Sequence, residues 1–128
     1  MTSERLILVV EDDPTLRYLS RRQLATHGYA CELAVDGEDG VQKATSKHYD
    51  LIFMDVHMPK KNGIDAARAI RLFEKQSGRE GYVPIIALTA NPERQQCYDA
   101  GMNDFIFKPV SLDDLQKMLS RWLPSEKK

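Results

Sequence analysis

Three stretches of the chain are apolar almost without a break: Leu6–Val10, Leu51–Met54 and, interrupted only by Pro84 at its start, Val83–Leu88. Runs of four to six such residues suit β-strands covered on both faces. Two weaker runs, Tyr29–Val35 and Phe105–Phe107, complete a set of five. Between them lie segments with apolar residues at helical spacing. Strand and helix therefore alternate five times, a pattern that calls for a parallel sheet with helices on both faces. Such sheets bind ligands beyond the carboxyl ends of their strands.

The helices read as follows. Pro14 suits the first turn of a helix capped by Asp12 or Asp13. Leu16, Leu19 and Leu24 give that helix an apolar stripe, and His27-Gly28 ends it. Arg17, Tyr18, Arg21 and Arg22 then face solvent. In the second strand Cys31, Leu33 and Val35 share a face, and Asp36-Gly37 turns the chain into a helix with Val41, Ala44 and a close-approach Gly40. The loop Lys60-Lys61-Asn62-Gly63 leads to a third helix burying Ile64, Ala67, Ile70 and Phe73. A fourth helix is expected from Pro92 to Ala100. The last runs from Ser111 to Trp122 and puts Leu112, Leu115, Met118, Leu119 and Trp122 on one face.

What stands at the strand ends carries the chemistry. The first run is followed at once by Glu11-Asp12-Asp13, the third by Asp55, the fourth by Thr89 and the fifth by Lys108. A cap explains one acidic residue, not three in a row. Two carboxylates about 4 Å apart at an effective dielectric near 20 repel by roughly 4 kcal/mol, so such a cluster wants a cation. In a parallel sheet all these positions share one rim. Carboxylates with few other ligands suit a hard, oxygen-seeking ion such as Mg²⁺ or Mn²⁺. A lysine and a hydroxyl beside them suit phosphoryl oxygens, and an aspartate can attack phosphorus to form an acyl phosphate.

With 128 residues and a net charge of −1, the chain is the size of one domain and favours neither nucleic acid nor a membrane surface as partner. Cys31 and Cys97 form no C-x-x-C pair, which suits free thiols in a reducing compartment. Leu6–Val10 is too short for a signal peptide and no run approaches a membrane span, so the cytoplasm is expected.

Taken together, Glu11-Asp12, Asp55 in D-V-H-M-P, Thr89-Ala90 after I-A-L, and Lys108-Pro109 resemble the receiver domain of two-component response regulators. The segments A-L-T-A-N and A-G-M-N-D-F-I-F-K-P are similar to receivers of hybrid sensor kinases and phosphorelays. The resemblance implies a flavodoxin-like, doubly wound (βα)5 fold of order 2-1-3-4-5, with residues 1–128 a single receiver without an output domain. It implies that Asp55 is phosphorylated by a histidine kinase or histidine phosphotransfer protein, without a separate enzymatic turnover. Asp12 and Asp55 would ligate Mg²⁺ directly, Glu11 through water, and His57 through its backbone carbonyl. Asp13 is then a cap. Lys108 would pair with the phosphoryl group or with Asp55, across a cis bond to Pro109, and Thr89 would reach toward the phosphate. Phe105 stands where many relatives carry a switching tyrosine, and His57 and Asn91 occupy positions that tune phosphoryl lifetime. Tyr18 and Phe105 belong to the surfaces that meet partners.

Rival readings remain. A docking module that works without phosphorylation has no use for complete acidic, threonine and lysine positions. An aspartyl phosphatase wants a second aspartate at position 57. A flavin-binding protein wants a phosphate cradle where Glu11-Asp12-Asp13 repels phosphate.

Overall fold

A computed structural model describes residues 5–58, 61–78, 81–90 and 94–123. Pro59, Lys60, Asn91 and Pro92, and with them the expected role of Asn91, lie outside the described residues. The elements alternate throughout: β1 (Leu6–Val10), α1 (Pro14–Thr26), β2 (Ala30–Ala34), α2 (Gly37–Ser46), β3 (Leu51–Asp55), α3 (Gly63–Ser77), β4 (Ile85–Thr89), α4 (Arg94–Asp99), β5 (Asp104–Phe107) and α5 (Leu112–Trp122). Every strand pairing is parallel, and the order is β2-β1-β3-β4-β5.

Strand periodicity divides the core in two. Leu8, Val10, Ile52, Met54, Ile85 and Ala87 point to the face covered by Ala44 of α2, Ala66, Ala67 and Ile70 of α3, and Cys97 of α4. Their neighbours Ile7, Val9, Leu51, Phe53, Ile86 and Leu88 point to the other face, covered by Leu24 of α1 and by Leu115 and Leu119 of α5. All five residues of β3 and of β4 are buried, as a central strand with helices on both sides requires. Gly40 lets α2 lie against β1, since a Cβ there would come within 2.9 Å of Val10 Cγ2. Cys31 and Cys97 are free.

Several packing expectations need correction. Val35 leaves the ladder: β2 ends at Ala34, and the Val35 amide donates to the Asp39 carboxylate while its side chain is exposed. Leu16 and Leu19 are also exposed. The inward stripe of α1 and its cap is Arg17, Ser20, Gln23, Leu24 and His27, a largely polar face of the correct period that buries Leu24 as expected but turns away from Leu16 and Leu19. Gln23 donates to the Val110 carbonyl, so that face holds the β5–α5 connection by a polar contact. Phe73 is only half-buried, and the neighbouring Glu74 is buried instead. Leu112, at the first position of α5, is exposed. Asp104 joins β5, and its carboxylate accepts from Arg121 and from the Trp122 indole.

Glu74 belongs to a network at the edge where β4 and β5 begin. Its carboxylate accepts from Arg71 Nη1 at 2.7 Å and from the Val83 amide at 2.9 Å. Arg71 also donates to the Gly101 carbonyl and to Asn103 Oδ1, which accepts the Ile85 amide as well. One buried acid and one guanidinium thus tie α3 to the entry of β4 and to the turn before β5.

Candidate active site at the strand carboxyl ends

The opposite edge of the sheet collects the residues that the sequence scatters. Glu11 follows β1, Asp55 ends β3, Thr89 ends β4 and Lys108 follows β5. Glu11, Asp55 and Thr89 are buried. Lys108 Nζ lies 2.8 Å from Asp55 Oδ1 and 3.4 Å from Glu11 Oε1. Carboxylate oxygens of Glu11, Asp12 and Asp55 all fall within 4.8 Å of one another. Lys108 is brought there by its own backbone, because its amide donates to the Thr89 carbonyl as the β4–β5 ladder ends, and the Lys108–Pro109 bond is cis. Asp13 caps α1, accepting from the Thr15 and Leu16 amides, so the cap and the clustered acids are different residues.

Local backbone contacts shape the mouth. Gly63 opens α3 directly against β3: a Cβ there would lie 2.1 Å from the Asp55 carbonyl oxygen, so only glycine admits this approach. The Gly63 amide donates to the Val56 carbonyl and closes the loop that carries the exposed His57. Arg17, expected in solvent, is half-buried and donates from Nη1 to the carbonyls of Glu11, at 2.9 Å, and Asp12, at 3.1 Å. A signal for it existed. Helical side chains lean toward the N-terminus, and Arg17 sits one turn beyond the Asp13 cap.

The electrostatics are unbalanced. Burial, and then the neighbouring charge of Asp55, raise the Glu11 pKa from 4.5 to about 7 against the opposing pull of Lys108. Burial alone would lower Lys108, but its hydrogen bond to Asp55, the Asp55 charge and Glu11 outweigh that and raise it. One ammonium faces three carboxylates. The donor set is all oxygen and in excess of negative charge, which fits a hard divalent cation.

Around the rim, Phe105 stacks edge-on with Tyr98 and Phe107 and lies under the Arg94 guanidinium. Tyr18 is exposed on α1, with Arg22 over its ring. Among the described residues no helix is long and apolar enough to cross a membrane.

Residues 7–120 match the family model of the response regulator receiver domain. The chain belongs to that family. This receiver is 39% identical to part of hybrid signal transduction histidine kinase G of Dictyostelium discoideum, over 96% of the chain but 4% of the kinase. It is 41% identical to part of the sensor protein EvgS of Escherichia coli, over 90% of the chain and 9% of that protein. The receiver thus spans less than a tenth of each of these relatives. Among solved structures it is similar to the receiver domain of a Pseudomonas aeruginosa sensor histidine kinase with magnesium in its active-site cleft. The TM-score there is 0.84 at 41% identity, covering 96% of this chain and all of that one. It is also similar to the Ssk1 receiver of Saccharomyces cerevisiae, solved with the histidine phosphotransfer protein Ypd1. In that comparison the TM-score is 0.87 at 34% identity, covering 93% and 88% of the two chains.

Proposed function

We propose that this receiver accepts a phosphoryl group onto Asp55 from a phosphohistidine on a histidine kinase or histidine phosphotransfer protein. The observation that carries the reading is the buried Asp55 carboxylate held 2.8 Å from Lys108 at the mouth shared by Glu11 and Asp12. An Asp55 oxygen forms the new bond to phosphorus as the phosphorus–nitrogen bond breaks, and the imidazole keeps the electron pair. Lys108 holds the carboxylate in one orientation and stays within reach of the phosphoryl oxygens. Asp12, Asp55, Glu11 and the His57 carbonyl would hold Mg²⁺ or Mn²⁺, which when bound neutralises charge on the transferring group.

The product adds about −1.5 to −2 charge at neutral pH, by analogy with other phosphorylated side chains. Thr89, at the end of β4, would approach it with its hydroxyl. Movement there biases the α4–β5–α5 face, where Phe105 packs between Tyr98 and Phe107. Phe105 has no hydroxyl, so the switch works through ring packing. The α1 face around Tyr18 would receive the donor protein. The reaction is a single transfer per cycle rather than turnover of a separate substrate, and the free thiols suit a cytoplasmic setting.

Acetyl phosphate with Mg²⁺ should add the mass of one phosphoryl group to the protein, and Asp55→Asn should add none. An unmodified wild-type chain with acetyl phosphate and with a phosphorylated histidine phosphotransfer protein alike would leave only docking without phosphorylation.

A further inference from the structure

We infer that Arg17 is a positioning residue for the carboxylate cluster, holding the loop between β1 and α1 so that Asp12 and Glu11 meet a divalent cation. The inference rests on the metal-dependent reading above.

The geometry is specific to one residue. Arg17 Nη1 donates to two successive carbonyls, those of Glu11 and Asp12. Because peptide units are planar, fixing these oxygens fixes the two planes that flank the Asp12 Cα. The direction of its Cα–Cβ bond follows. Backbone control matters most at Asp12, whose side chain is half-exposed and has no hydrogen bond or ion pair among the described residues. Glu11 is steadied by further contacts, to Lys108 and to the Asp13 amide. Lys108 and Asp55 hold each other from the far side of the mouth. Arg17 is the complement of that pair, acting on the near side through the main chain.

The same contact accounts for the unexpected orientation of α1. Turning Arg17 inward places it on the stripe with Ser20, Gln23, Leu24 and His27, and it leaves Leu16, Leu19 and Tyr18 outside. A helix whose sheet-facing stripe begins with an arginine contributes less apolar burial than one led by leucine. What it gains is a charge-assisted hold on the acidic loop.

Two effects compete in sign. The guanidinium charge repels an incoming cation, whereas the ordered loop presents its ligands in place. The guanidinium is spent on carbonyls of the loop rather than aimed among the carboxylates, so ordering dominates. Groups that orient metal ligands are typically worth 10–100-fold in affinity.

The test is titration calorimetry of the full chain with Mg²⁺, with no phosphodonor, for the wild type, Arg17→Met and Arg17→Lys. Arg17→Met should weaken Mg²⁺ binding by about tenfold, and Arg17→Lys, which keeps donors for both carbonyls, should restore most of it. Phosphorylation by acetyl phosphate should then need more Mg²⁺ in Arg17→Met yet reach a similar plateau. Thermal unfolding in chelator checks that each variant is folded. If the wild type binds Mg²⁺ but Arg17→Met binds it equally well or more tightly, the inference fails while the proposed function stands. Slower transfer confined to a phosphohistidine protein donor would make Arg17 a docking residue and overturn the inference. A wild type that binds no Mg²⁺ would remove the proposed function and the inference with it.

Discussion

The two ends of the sheet solve the same problem in opposite ways. At the end where β4 and β5 begin, the buried Glu74 meets Arg71 and the Val83 amide, and Arg71 also donates to the Gly101 carbonyl and to Asn103. The network is closed within the chain. At the end where β1 and β3 finish, Glu11 and Asp55 are just as buried, but they share Lys108 with each other and have Asp12 beside them. That network is left open by charge. Buried ions are tolerated where partners satisfy them and are costly where they are not, so the first end is built to stay put and the second to bind something. The pKa directions agree with this: burial, and then the neighbouring charge of Asp55, push Glu11 up to about 7 against the pull of Lys108.

Breaking the closed end should cost the most. Glu74→Ala removes the acceptor of Arg71 and of a buried amide at once, and it should destabilise the fold by about 3 kcal/mol in denaturant titration. Mg²⁺ should not rescue it. A loss below about 1 kcal/mol would mean that the Gly101 and Asn103 contacts alone hold Arg71, and that the contrast between the ends is overdrawn.

At the open end the sign reverses. Because the pKa of Glu11 is raised in the fold, the folded chain keeps a proton between pH 4.5 and about 7 that the unfolded chain has lost. Stability from this group is complete below pH 4.5 and drains away as pH climbs through 7. With one pH unit worth about 1.4 kcal/mol, Glu11→Gln should stabilise the protein in chelator by at most about 3 kcal/mol at pH 8 and leave it unchanged near pH 4. Mg²⁺ competes with that proton, so its affinity for the wild type should rise between pH 6 and pH 8. Flat Mg²⁺ affinity across that range would place the cation away from Glu11.

How each end could be read in the sequence differs for a physical reason. The open end was legible because each of its residues closes an apolar run. Glu11 follows Val10, Asp55 follows Met54, Thr89 follows Leu88 and Lys108 follows Phe107, so a parallel topology alone brings them to one rim. The strand order needed the family resemblance, since five alternating units allow several orders. The closed end was invisible. Glu74 reads like any helical surface acid, and nothing in the sequence ties it to Asn103, which lies 29 positions on. The α1 stripe departs from the apolar pattern of its sequence for a related cause. Leu16 and Leu19 are the apolar residues, but Arg17 is the one with carbonyls to reach, and a polar contact overrode the hydrophobic pattern.

Asp104 supplies an intermediate case that sharpens the comparison. Its buried carboxylate accepts from the Trp122 indole and from Arg121, whose side chain is mostly exposed. Water can take over part of what the partner gives, so Asp104→Asn should cost about 1 kcal/mol, between Glu74 and a surface pair. Trp122 is the only tryptophan, and its emission should shift in the variant because the indole loses a charged acceptor. Unaltered emission would show that the indole contact contributes little.

The smallest effect belongs to a pair with nearly the same distance as the largest. Lys43 Nζ lies 2.8 Å from Asp39 Oδ1 on α2, with both side chains a quarter or more exposed, against 2.7 Å for Arg71 and Glu74. If ion-pair geometry set the energy, Lys43→Met and Glu74→Ala would be comparable. Solvent argues otherwise: Asp39 without its lysine is rehydrated and still accepts the Val35 amide, whereas Arg71 without Glu74 is left facing a buried gap. Lys43→Met should therefore change stability by no more than about 0.5 kcal/mol, and less at high salt. A loss near that of Glu74→Ala would show that separation, not burial, governs the ionic contacts of this fold, and the distinction between its closed and open ends would lose its basis.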